Sequence, residues 1–560
     1  MTSPADPLEL GMSTTTALRP QPETLDGSTW RGRALTPVLV YVGMLVAVVS
    51  SLGSPLIPTI ASDYGVSLGD AQWTLTVTLL VGALVSPVVG RLGDGPQRRG
   101  VLLGALAVVV AGSVLAAVPG LPFAALVTGR GLQGVGLALL PLAMSIARDH
   151  LDPDRSRSTL ATLSVTTVIG VGLGYPITGL IAEHLSFHAG FWLAAGLGVL
   201  AIALVAVVVP RSEHQAALPF DGAGAVLLGL GVAGLVLTIS EGEEWGWTSP
   251  GLLALGAAAV LFLSVCTWFE LRAAHPIVEL RQMRDRTVLT ANVTGALAGV
   301  GMYMLMSMVI RYVQTPTSVS YGLGASVVVS GLVLLPMSAA SFSASRLATY
   351  LGRFMAPSRI LPIGALLFAA ALTVFATGRG SLWQICLVMA IGGLGIGCSF
   401  SVLPRLIVST VPADATSSAL ALNQVLRTVG FAVGSALSAT VLTAHTPAAS
   451  PYPGDAGYTV GALVAIGLCL FTALVSVVLQ ARSPRTDGQD ALLVQENMDA
   501  ALAGALTAEP DEDDVDAAGR HSAGRALGRH HPDGRHRVVQ RASTAGVFHV
   551  QVPDAELSLR

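Results

Sequence analysis

Arg130 is the residue of this sequence whose type and setting point most directly to chemistry. It lies in the apolar stretch 126–140, which is part of a segment long enough to cross a bilayer. Arginine keeps its charge in a protein, and placing it at the centre of a spanning helix costs about 2.5–3.5 kcal/mol. Arg130 therefore needs a partner, water or a substrate. Gln133 and Gly134 follow within one helical turn and could supply a polar contact and close helix packing.

A second cluster of charged residues occupies the segment 90–99, which reads GRLGDGPQRR. Gly90 allows helices to approach closely, and Asp94 could pair with arginines such as Arg98 and Arg99 or cap a neighbouring helix N-terminus. Such a contact would hold one state of a gate closed and release it in another. The alternative interpretation is an ordinary basic turn at the cytoplasmic face of a membrane.

A third pattern is the run of glycines at Gly170, Gly174 and Gly179 with Pro176 among them. Glycines at helical spacing create a groove for close helix contact. Proline removes one backbone hydrogen bond and bends the helix. The pattern predicts a bent gating helix, although packing of small residues alone would explain much of it.

The amino-acid composition indicates whether these residues lie in water or in a membrane. The chain has 560 residues, of which 52% are hydrophobic and 12% are charged, and a soluble chain has about 25% charged residues. Its apolar residues form blocks of about 20, the length that crosses about 30 Å of hydrocarbon. We therefore predict an all-α polytopic membrane protein. The sequence contains no phosphate-binding loop, which argues against ATP-driven pumping.

Apolar runs and the residues that interrupt them predict fourteen spans. They lie near 35–60, 71–92, 99–118, 121–147, 159–183, 189–209, 220–240, 250–271, 287–312, 323–344, 358–377, 381–409, 416–443 and 457–480. The predicted divisions are a disordered cytoplasmic N-terminus at 1–34, a six-helix half at 35–209, two inserted helices and a linker at 210–286, a second six-helix half at 287–480, and a disordered cytoplasmic tail at 481–560.

The distribution of arginine predicts the orientation of the chain. All 31 basic residues are arginine. With the N-terminus in the cytoplasm, nearly all loop arginines fall on the cytoplasmic side, and the opposite loops carry only Arg311 and Arg379 near their ends. This is the positive-inside pattern, and it also places the C-terminus in the cytoplasm.

A weak internal repeat predicts two related halves. RLGD at 91–94 follows the second span, and RLAT at 346–349 follows the tenth. Two related halves with a site between them near the midplane are the usual plan of a secondary transporter.

These patterns together resemble the fourteen-span drug:proton antiporter family of the major facilitator superfamily. Segment 90–99 is similar to Gly-x-Leu-Ala-Asp-Arg-x-Gly-Arg-Arg, and Arg130, Gln133 and Gly134 match Arg-x-x-Gln-Gly-x-Gly in span 4. Segment 170–179 resembles Gly-x-x-x-Gly-Pro-x-x-Gly-Gly. Segments 221–224 and 241–247 resemble the family's inserted hairpin.

The resemblance implies a major facilitator fold, with two six-helix halves and two inserted central helices. It implies export of amphipathic small molecules such as drugs, dyes or a natural product, with protons as the coupling ion. Arg130 would take part in proton transfer, because its charge lowers the pKa of a nearby carboxylate. The implied location is the cytoplasmic membrane and the implied partners are substrate, protons and lipid. We expect no enzyme activity, cofactor, metal or nucleic acid, and a monomer.

The first span departs from the family pattern. Drug transporters of this family commonly carry an acid there, whereas no Asp or Glu occurs between Ala34 and Ser62. Glu183 and His184, at the outer end of span 5, are the nearest alternative pair, although a solvated helix end explains them better. The proton carrier is therefore not identified by sequence.

Candidate residues for the substrate pocket lie in the second half, where adaptable or polar side chains occur within spans: Tyr303, Met304, Arg311, Asn423 and Arg427. If no proton is coupled, Arg130, Arg311 and Arg427 become candidate contacts for an anionic cargo. The remaining alternatives are a facilitator of the same fold, an exporter of neutral cargo, and a membrane scaffold or sensor that recruits partners through its tail.

Overall fold

The structure is a computed structural model that describes most of the chain between Thr29 and Ala481. The described residues are 29–52, 56–95, 97–211, 221–273, 276, 279, 281, 283, 285–352, 354–412, 415–447, 450 and 452–481. The predicted disorder of 1–28 and of 482–560 falls outside the described residues. Every structural statement below concerns the described ones.

Fourteen helical segments in the described part are long and apolar enough to cross a membrane, so the predicted all-α polytopic fold is confirmed. The first six spans are built from α1 (Trp30–Ser51), α2 (Ile57–Tyr64), α3 (Leu68–Gly93), α4 (Arg98–Ala117), α5 (Phe123–Gly134), α6 (Leu139–His150), α7 (Pro153–His184) and α8 (Phe187–Val208). The two inserted spans are α9 (Gly222–Ser240) and α11 (Pro250–Glu270), separated by the short α10 (Gly242–Trp245).

The second half contains α12 (Arg286–Gln314), α13 (Val327–Leu332), α14 (Leu335–Leu351), α15 (Ile360–Thr377), α16 (Leu382–Thr410), α17 (Thr416–Ala444) and α18 (Asp455–Ala481). Helices α5 and α6 form one span, joined by a 3₁₀ turn at Val135–Ala138. Helices α13 and α14 likewise form one span, and Pro336, which lacks a backbone N–H, stands in the first turn of α14.

Seven of the described helices begin with a side chain that accepts a hydrogen bond from an N–H group of the first turn. The side chains of Thr29, Ser67 and Asp152 each accept a backbone hydrogen bond in the first turn of α1, α3 and α7. Helix α17 is one of the helices without such a cap, because its N-cap is Ala415, which has no side-chain acceptor. The first N–H groups of α17 therefore need acceptors from another part of the molecule.

Glycines set the closest helix contacts within each half. A Cβ added at Gly170 of α7 would overlap the Cβ of Ala47 in α1. In the second half, a Cβ added at Gly430 of α17 would overlap the carbonyl oxygen of Ala296 in α12. The pairs α1–α7 and α12–α17 therefore occupy related positions in the two halves, which agrees with the predicted repeat.

The two halves meet along several pairs of helices. Helix α7 packs against α13 and α14, where a Cβ added at Gly331 would lie 2.7 Å from the backbone nitrogen of Pro176. Helix α3 packs against α17, where a Cβ added at Gly90 would lie 2.7 Å from the Cβ of Ala421. Small residues at both contacts bring the backbones of the two halves together without lipid between them.

The inserted helices lie against the outside of this arrangement. Helix α9 packs on α3. A Cβ added at Gly229 of α9 would lie 3.0 Å from Cγ of Leu84 in α3. Helix α11 packs on α9 and exposes apolar side chains such as Leu253 and Val260. A surface of this kind is suited to contact with lipid chains, which are as apolar as leucine.

The first span begins and ends differently from the prediction. Helix α1 begins at Trp30, so residues 30–34 are helical and the prediction of disorder there is wrong. The reason is the side chain of Thr29, which accepts the N–H of Gly32 at 3.1 Å and starts the helix earlier. The predicted continuous span 35–60 is also wrong, because α1 ends at Ser51 and α2 is a separate helix.

The contact at Gly170 gives a test of this packing. We expect Gly170→Ala to lower the free energy of unfolding by about 1–3 kcal/mol, because the added methyl group overlaps Ala47 and forces α1 and α7 apart. Gly104→Ala is the matched control, since a Cβ at Gly104 meets no atom within 4 Å. The measurement is the thermal unfolding midpoint of the purified protein in detergent. Equal midpoints for the two variants would contradict the close contact.

Candidate functional site

The guanidinium of Arg130 lies where α5 meets α1 and α3, and it is 0% exposed. Its Nε donates to the carbonyl oxygen of Thr74 at 3.0 Å. Its Nη1 donates to the carbonyl oxygen of Val49 at 3.1 Å and to Oε1 of Gln133 at 2.7 Å. These three neutral acceptors replace water around the charge, which is the condition for keeping an arginine inside a membrane protein.

Gln133 continues this network into a fourth helix. Its Nε2 donates to the hydroxyl of Ser113 in α4 at 2.8 Å. Thr78 of α3 donates to the carbonyl oxygen of Arg130 at 3.0 Å, and Gly134 lets α5 approach the same helix, since a Cβ there would overlap the Thr78 carbonyl. The i, i+3 spacing seen in the sequence therefore brings Arg130, Gln133 and Gly134 together in one polar network.

No described carboxylate pairs with Arg130. The expected acid, whose pKa Arg130 would lower, has no counterpart in this part of the chain. The Nη2 group of Arg130 has no acceptor among the described residues, and the ring of Phe191 lies 5.9 Å from the guanidinium carbon. The network leaves one donor of the arginine available to a further acceptor.

Asp94 joins the two halves at the end of α3. Its Oδ1 accepts the N–H of Ser417 at 2.7 Å, and its Oδ2 accepts the N–H of Ser418 at 3.1 Å. Both N–H groups belong to the first turn of α17, the helix whose own N-cap is Ala415. Asp94 therefore supplies from the first half the cap that α17 of the second half lacks. A negative charge at a helix N-terminus is also favoured by the helix dipole.

The carboxyl group of Asp94 is 1% exposed, and its pKa reflects opposing effects. Burial raises the pKa, because the charged form loses its water. Hydrogen bonds from Ser418 and Ser417 and the charge of Arg98 lower it. Burial is the largest effect, so the pKa of Asp94 is raised.

The arginines of the 90–99 segment act within the first half. Arg98 is buried and forms an ion pair with Asp149 at the end of α6. Arg99 donates to the carbonyl oxygen of Ala206 in α8. Asp94 and Gly90 are thus the predicted residues of this segment that contact the second half, whereas Arg98 and Arg99 hold α4 to α6 and to α8.

Arg148 is a second connection between the halves, and sequence reasoning did not identify it. Its Nη2 donates to the carbonyl oxygen of Val411 at 2.9 Å, its Nη1 to that of Pro412 at 3.3 Å, and Nη1 also contacts the hydroxyl of Thr416. Val411 and Pro412 lie between α16 and α17, and Thr416 is the first residue of α17. The available signal was a basic residue at the end of span 4, which is also the ordinary position of a positive-inside arginine.

The predicted gating helix lies at the contact between the halves. Gly174 of α7 faces Ser51 of α1, and a Cβ at Gly179 would lie 3.1 Å from Cγ2 of Val328 in α13. Pro176 lies within α7 and packs against Gly331. The glycine–proline pattern thus places α7 between its own half and the second half.

Three of the five candidate pocket residues are close together. Arg427 is 1% exposed, and its guanidinium carbon lies 3.8 Å from the ring centre of Phe400 and 6.0 Å from that of Phe431. The ring of Tyr303 stacks on Phe431 at 4.5 Å. Asn423, one turn before Arg427, donates through Nδ2 to Oδ1 of Asn292 at 3.0 Å. Phe400 and Phe431 were not predicted.

The other two candidates lie elsewhere. Arg311 is exposed in the last turn of α12, whereas Arg427 packs against Gly295 and Gly299 of the same helix. A separation of 12–16 residues along a helix is about 18–24 Å, so Arg311 does not join the pocket. Met304 is fully buried and faces Gly461 of α18, so it packs within the second half. The structure therefore does not bring Arg311 or Met304 to this cluster, and their roles in a substrate pocket stay predictions.

A small cavity lies between the halves at this cluster. Residues of α6 and α7 from the first half and of α16 and α17 from the second half line it, including Ser164, Pro404, Asn423 and Arg427. Its volume is about 10 Å³, close to the room that one water molecule needs. A charged side chain at a cavity between two halves can bind a solute when the halves separate.

Comparison with known proteins places this geometry in a family. The family model described as Major Facilitator Superfamily matches residues 39–435. The chain is 27% identical over 448 residues to the "Multidrug resistance protein B homolog" of Mycobacterium tuberculosis (strain ATCC 25618 / H37Rv), covering 76% of this chain and 81% of that protein. It is 30% identical over 430 residues to the "Tetracenomycin C resistance and export protein" of Streptomyces glaucescens, covering 74% and 77%.

A solved structure shows the same fold. The chain is similar to the crystal structure of the human organic anion transporter MFSD10 (TETRAN), with a TM-score of 0.57 and 17% identity over 79% of this chain and 99% of that one. The family match, the fourteen spans and the multidrug-resistance and export relatives agree with the predicted resemblance. The chain is a multi-pass membrane transporter that belongs to the major facilitator superfamily.

Proposed function

We propose that this protein exports amphipathic small molecules across the cytoplasmic membrane by proton antiport with alternating access. The observation that carries the proposal is the capping of α17 by Asp94, a contact between the two halves at one end of the bundle. Relatives named for multidrug resistance and for antibiotic export support the substrate class.

Alternating access needs contacts between the halves that can form and break. A hydrogen bond to a charged group contributes about 1.5–3 kcal/mol, so the two bonds of Asp94 are strong enough to hold one end closed and weak enough to be exchanged for water. Arg148 adds bonds to Val411 and Pro412 at the same end. Separation of the halves there would expose all of these groups to solvent.

The closed end is on the cytoplasmic side in this proposal. The loops at this end carry the arginine clusters, including Arg98 and Arg99, and the positive-inside pattern places such loops in the cytoplasm. Both termini then lie in the cytoplasm. The Asp94 contact accordingly belongs to a state that is closed toward the cytoplasm.

Arg130 is proposed to couple proton movement to this change. Its position depends on carbonyl groups of α1 and α3 and on Gln133, so relative movement of these helices would change the acceptors of a charge that cannot be given up. The proton carrier is a separate question, because no described carboxylate pairs with Arg130.

A second candidate function follows from the lack of a described carboxylate beside Arg130. A transporter of the same fold that works without proton coupling would need no acid beside Arg130. It would move neutral or anionic cargo down its own gradient or by another route.

Efflux measurements separate the two candidates. We expect cells of an efflux-deficient host that express the protein to expel loaded dyes, tested as cationic rhodamine 123 and anionic carboxyfluorescein, and a protonophore to stop the efflux. Arg130→Lys should lower the initial rate at least about tenfold, because a lysine cannot donate to three separate acceptors in the geometry of a guanidinium. Arg346→Lys is the matched control, since Arg346 is exposed.

Efflux that survives the protonophore would contradict proton antiport and favour the uncoupled transporter. Unchanged efflux by Arg130→Lys would contradict the role of the arginine network.

The Asp94 contact is tested by a distance between the halves. With spin labels at Ser158→Cys and Thr410→Cys, in a chain whose native cysteines are replaced, we expect Asp94→Ala to shift the population toward longer distances at the Asp94 end. The reason is that the N–H groups of Ser417 and Ser418 lose their acceptors when this end is closed. Asp154→Ala is the control, because Asp154 is 86% exposed and its described ion pair is with Arg157 of the same helix.

The distance between the spin labels at positions 158 and 410 should also depend on pH. The pKa of Asp94 is raised when it is buried, and it returns toward its ordinary value when the end opens and the group is solvated. Protons therefore bind more tightly to the closed state, and lowering the pH should increase the closed fraction. Asp94→Ala should flatten this dependence, whereas Asp154→Ala should preserve it. An open fraction that rises as the pH falls would contradict the direction.

A further inference from the structure

Arg427 is a buried cation with hydrogen-bond donors that have no partner among the described residues. It lies in α17 with 1% of its surface exposed, and its Nε and Nη2 have no hydrogen-bond partner among the described residues. No described acidic residue forms an ion pair with it. Because arginine stays charged and an unpaired buried charge is strongly unfavourable, the site is suited to an additional acceptor.

Aromatic rings cover the face of this guanidinium and leave its edge to other contacts. The guanidinium carbon lies 3.8 Å from the ring centre of Phe400, a distance at which the ring quadrupole attracts the cation. Tyr303 stacks on Phe431 beside it. The unused N–H groups lie in the plane of the guanidinium, where carboxylate oxygens are recognised by paired hydrogen bonds.

The cavity beside Arg427 has the composition of an acceptor-binding site. It is lined by donors such as Arg427 and Asn423 and by Ser164 of the first half, and no acidic residue lines it. The hydroxyl of Ser164 also has no partner among the described residues. Two unpartnered donors, one from each half, therefore face the same small cavity.

Arg427 also lies at the depth where cargo would pass. It follows Ser417, at the capped end of α17, by ten residues, which is about 15 Å along a helix and about half of a 30 Å hydrocarbon layer. Since α6 and α7 form one wall and α16 and α17 the other, separation of the halves at either end would widen the cavity.

The charges inside the described bundle favour one sign of cargo. Arg130 and Arg427 are both fully buried without a paired carboxylate. A cationic solute at the cavity would meet these charges in a medium of low dielectric constant and be repelled, whereas an anionic group would be attracted.

We propose that Arg427 binds an anionic group, a carboxylate or a phenolate, on an aromatic amphipathic cargo, with Ser164 as a second donor. This inference rests on the proposed transport function and names the charge of its substrate. Phe400 and Phe431 orient the guanidinium, and the anion meets its edge.

Binding of two dyes that share one ring system tests the proposal. Fluorescein is anionic at pH 7.5, and rhodamine 123 carries the same xanthene rings with a positive charge. With the purified full chain in detergent, fluorescence polarisation should show fluorescein bound at least about tenfold more tightly than rhodamine 123. Arg427→Gln should weaken fluorescein binding at least about tenfold and leave rhodamine 123 binding unchanged or stronger.

Control variants distinguish a loss of dye binding from a loss of folding. Arg427→Lys, which retains the charge, should recover part of the fluorescein affinity. Arg346→Gln should leave both affinities unchanged, because Arg346 is an exposed arginine that also stacks on a phenylalanine, with 4.4 Å to the ring of Phe342. Each variant is compared by its size-exclusion profile and unfolding midpoint.

Three results would overturn the inference. They are tighter binding of rhodamine 123, an equal loss of both dyes in Arg427→Gln, and no binding of fluorescein to the unmodified protein. Fluorescein binding that depends on Arg427, in a protein that shows no efflux from cells, would uphold the site and reject the transport function. Protonophore-sensitive efflux of rhodamine 123 alone would uphold transport and reject the site.

Discussion

Hydrocarbon offers no hydrogen-bond partner, and the organisation of this protein depends on that constraint. Backbone groups are satisfied within helices, and a buried polar side chain is stabilised by a hydrogen-bond partner on its own helix or on a neighbouring one. Arg130 meets this requirement with carbonyl groups of α1 and α3 and with Gln133. A single charge thereby fixes the mutual positions of three helices, and Gln133 extends the network to Ser113 of a fourth.

The same requirement explains why the halves are joined where they are. Helix α17 begins at Ala415 without a cap of its own, so its first N–H groups need an acceptor from outside the helix. Asp94 provides that acceptor from the other half. The N–H groups that α17 leaves without a cap of its own thereby become a contact between the two halves. Under the proposed alternating access, this contact would break when that end opens.

Arg130 and Arg427 are both buried, and their hydrogen-bond donors are satisfied to different degrees. Arg130 uses two of its three nitrogens on acceptors from α1, α3 and its own helix. Arg427 stacks on Phe400 and leaves Nε and Nη2 without described partners at the cavity between the halves. Arg130 is therefore tied to the positions of α1 and α3, as the proposed coupling role requires, whereas Arg427 keeps donors free for the proposed anionic cargo.

The sequence by itself determined the fourteen spans, the two halves and the local groups whose spacing matches a helical turn, such as Arg130 with Gln133 and Asn423 with Arg427. Periodicity and composition fix these features because they act over a few residues. The tertiary structure alone decided which helix Asp94 caps, that Arg311 lies far from Arg427, and that no described carboxylate stands beside Arg130. These depend on contacts between helices distant in sequence, and hydropathy carries no information on which faces meet.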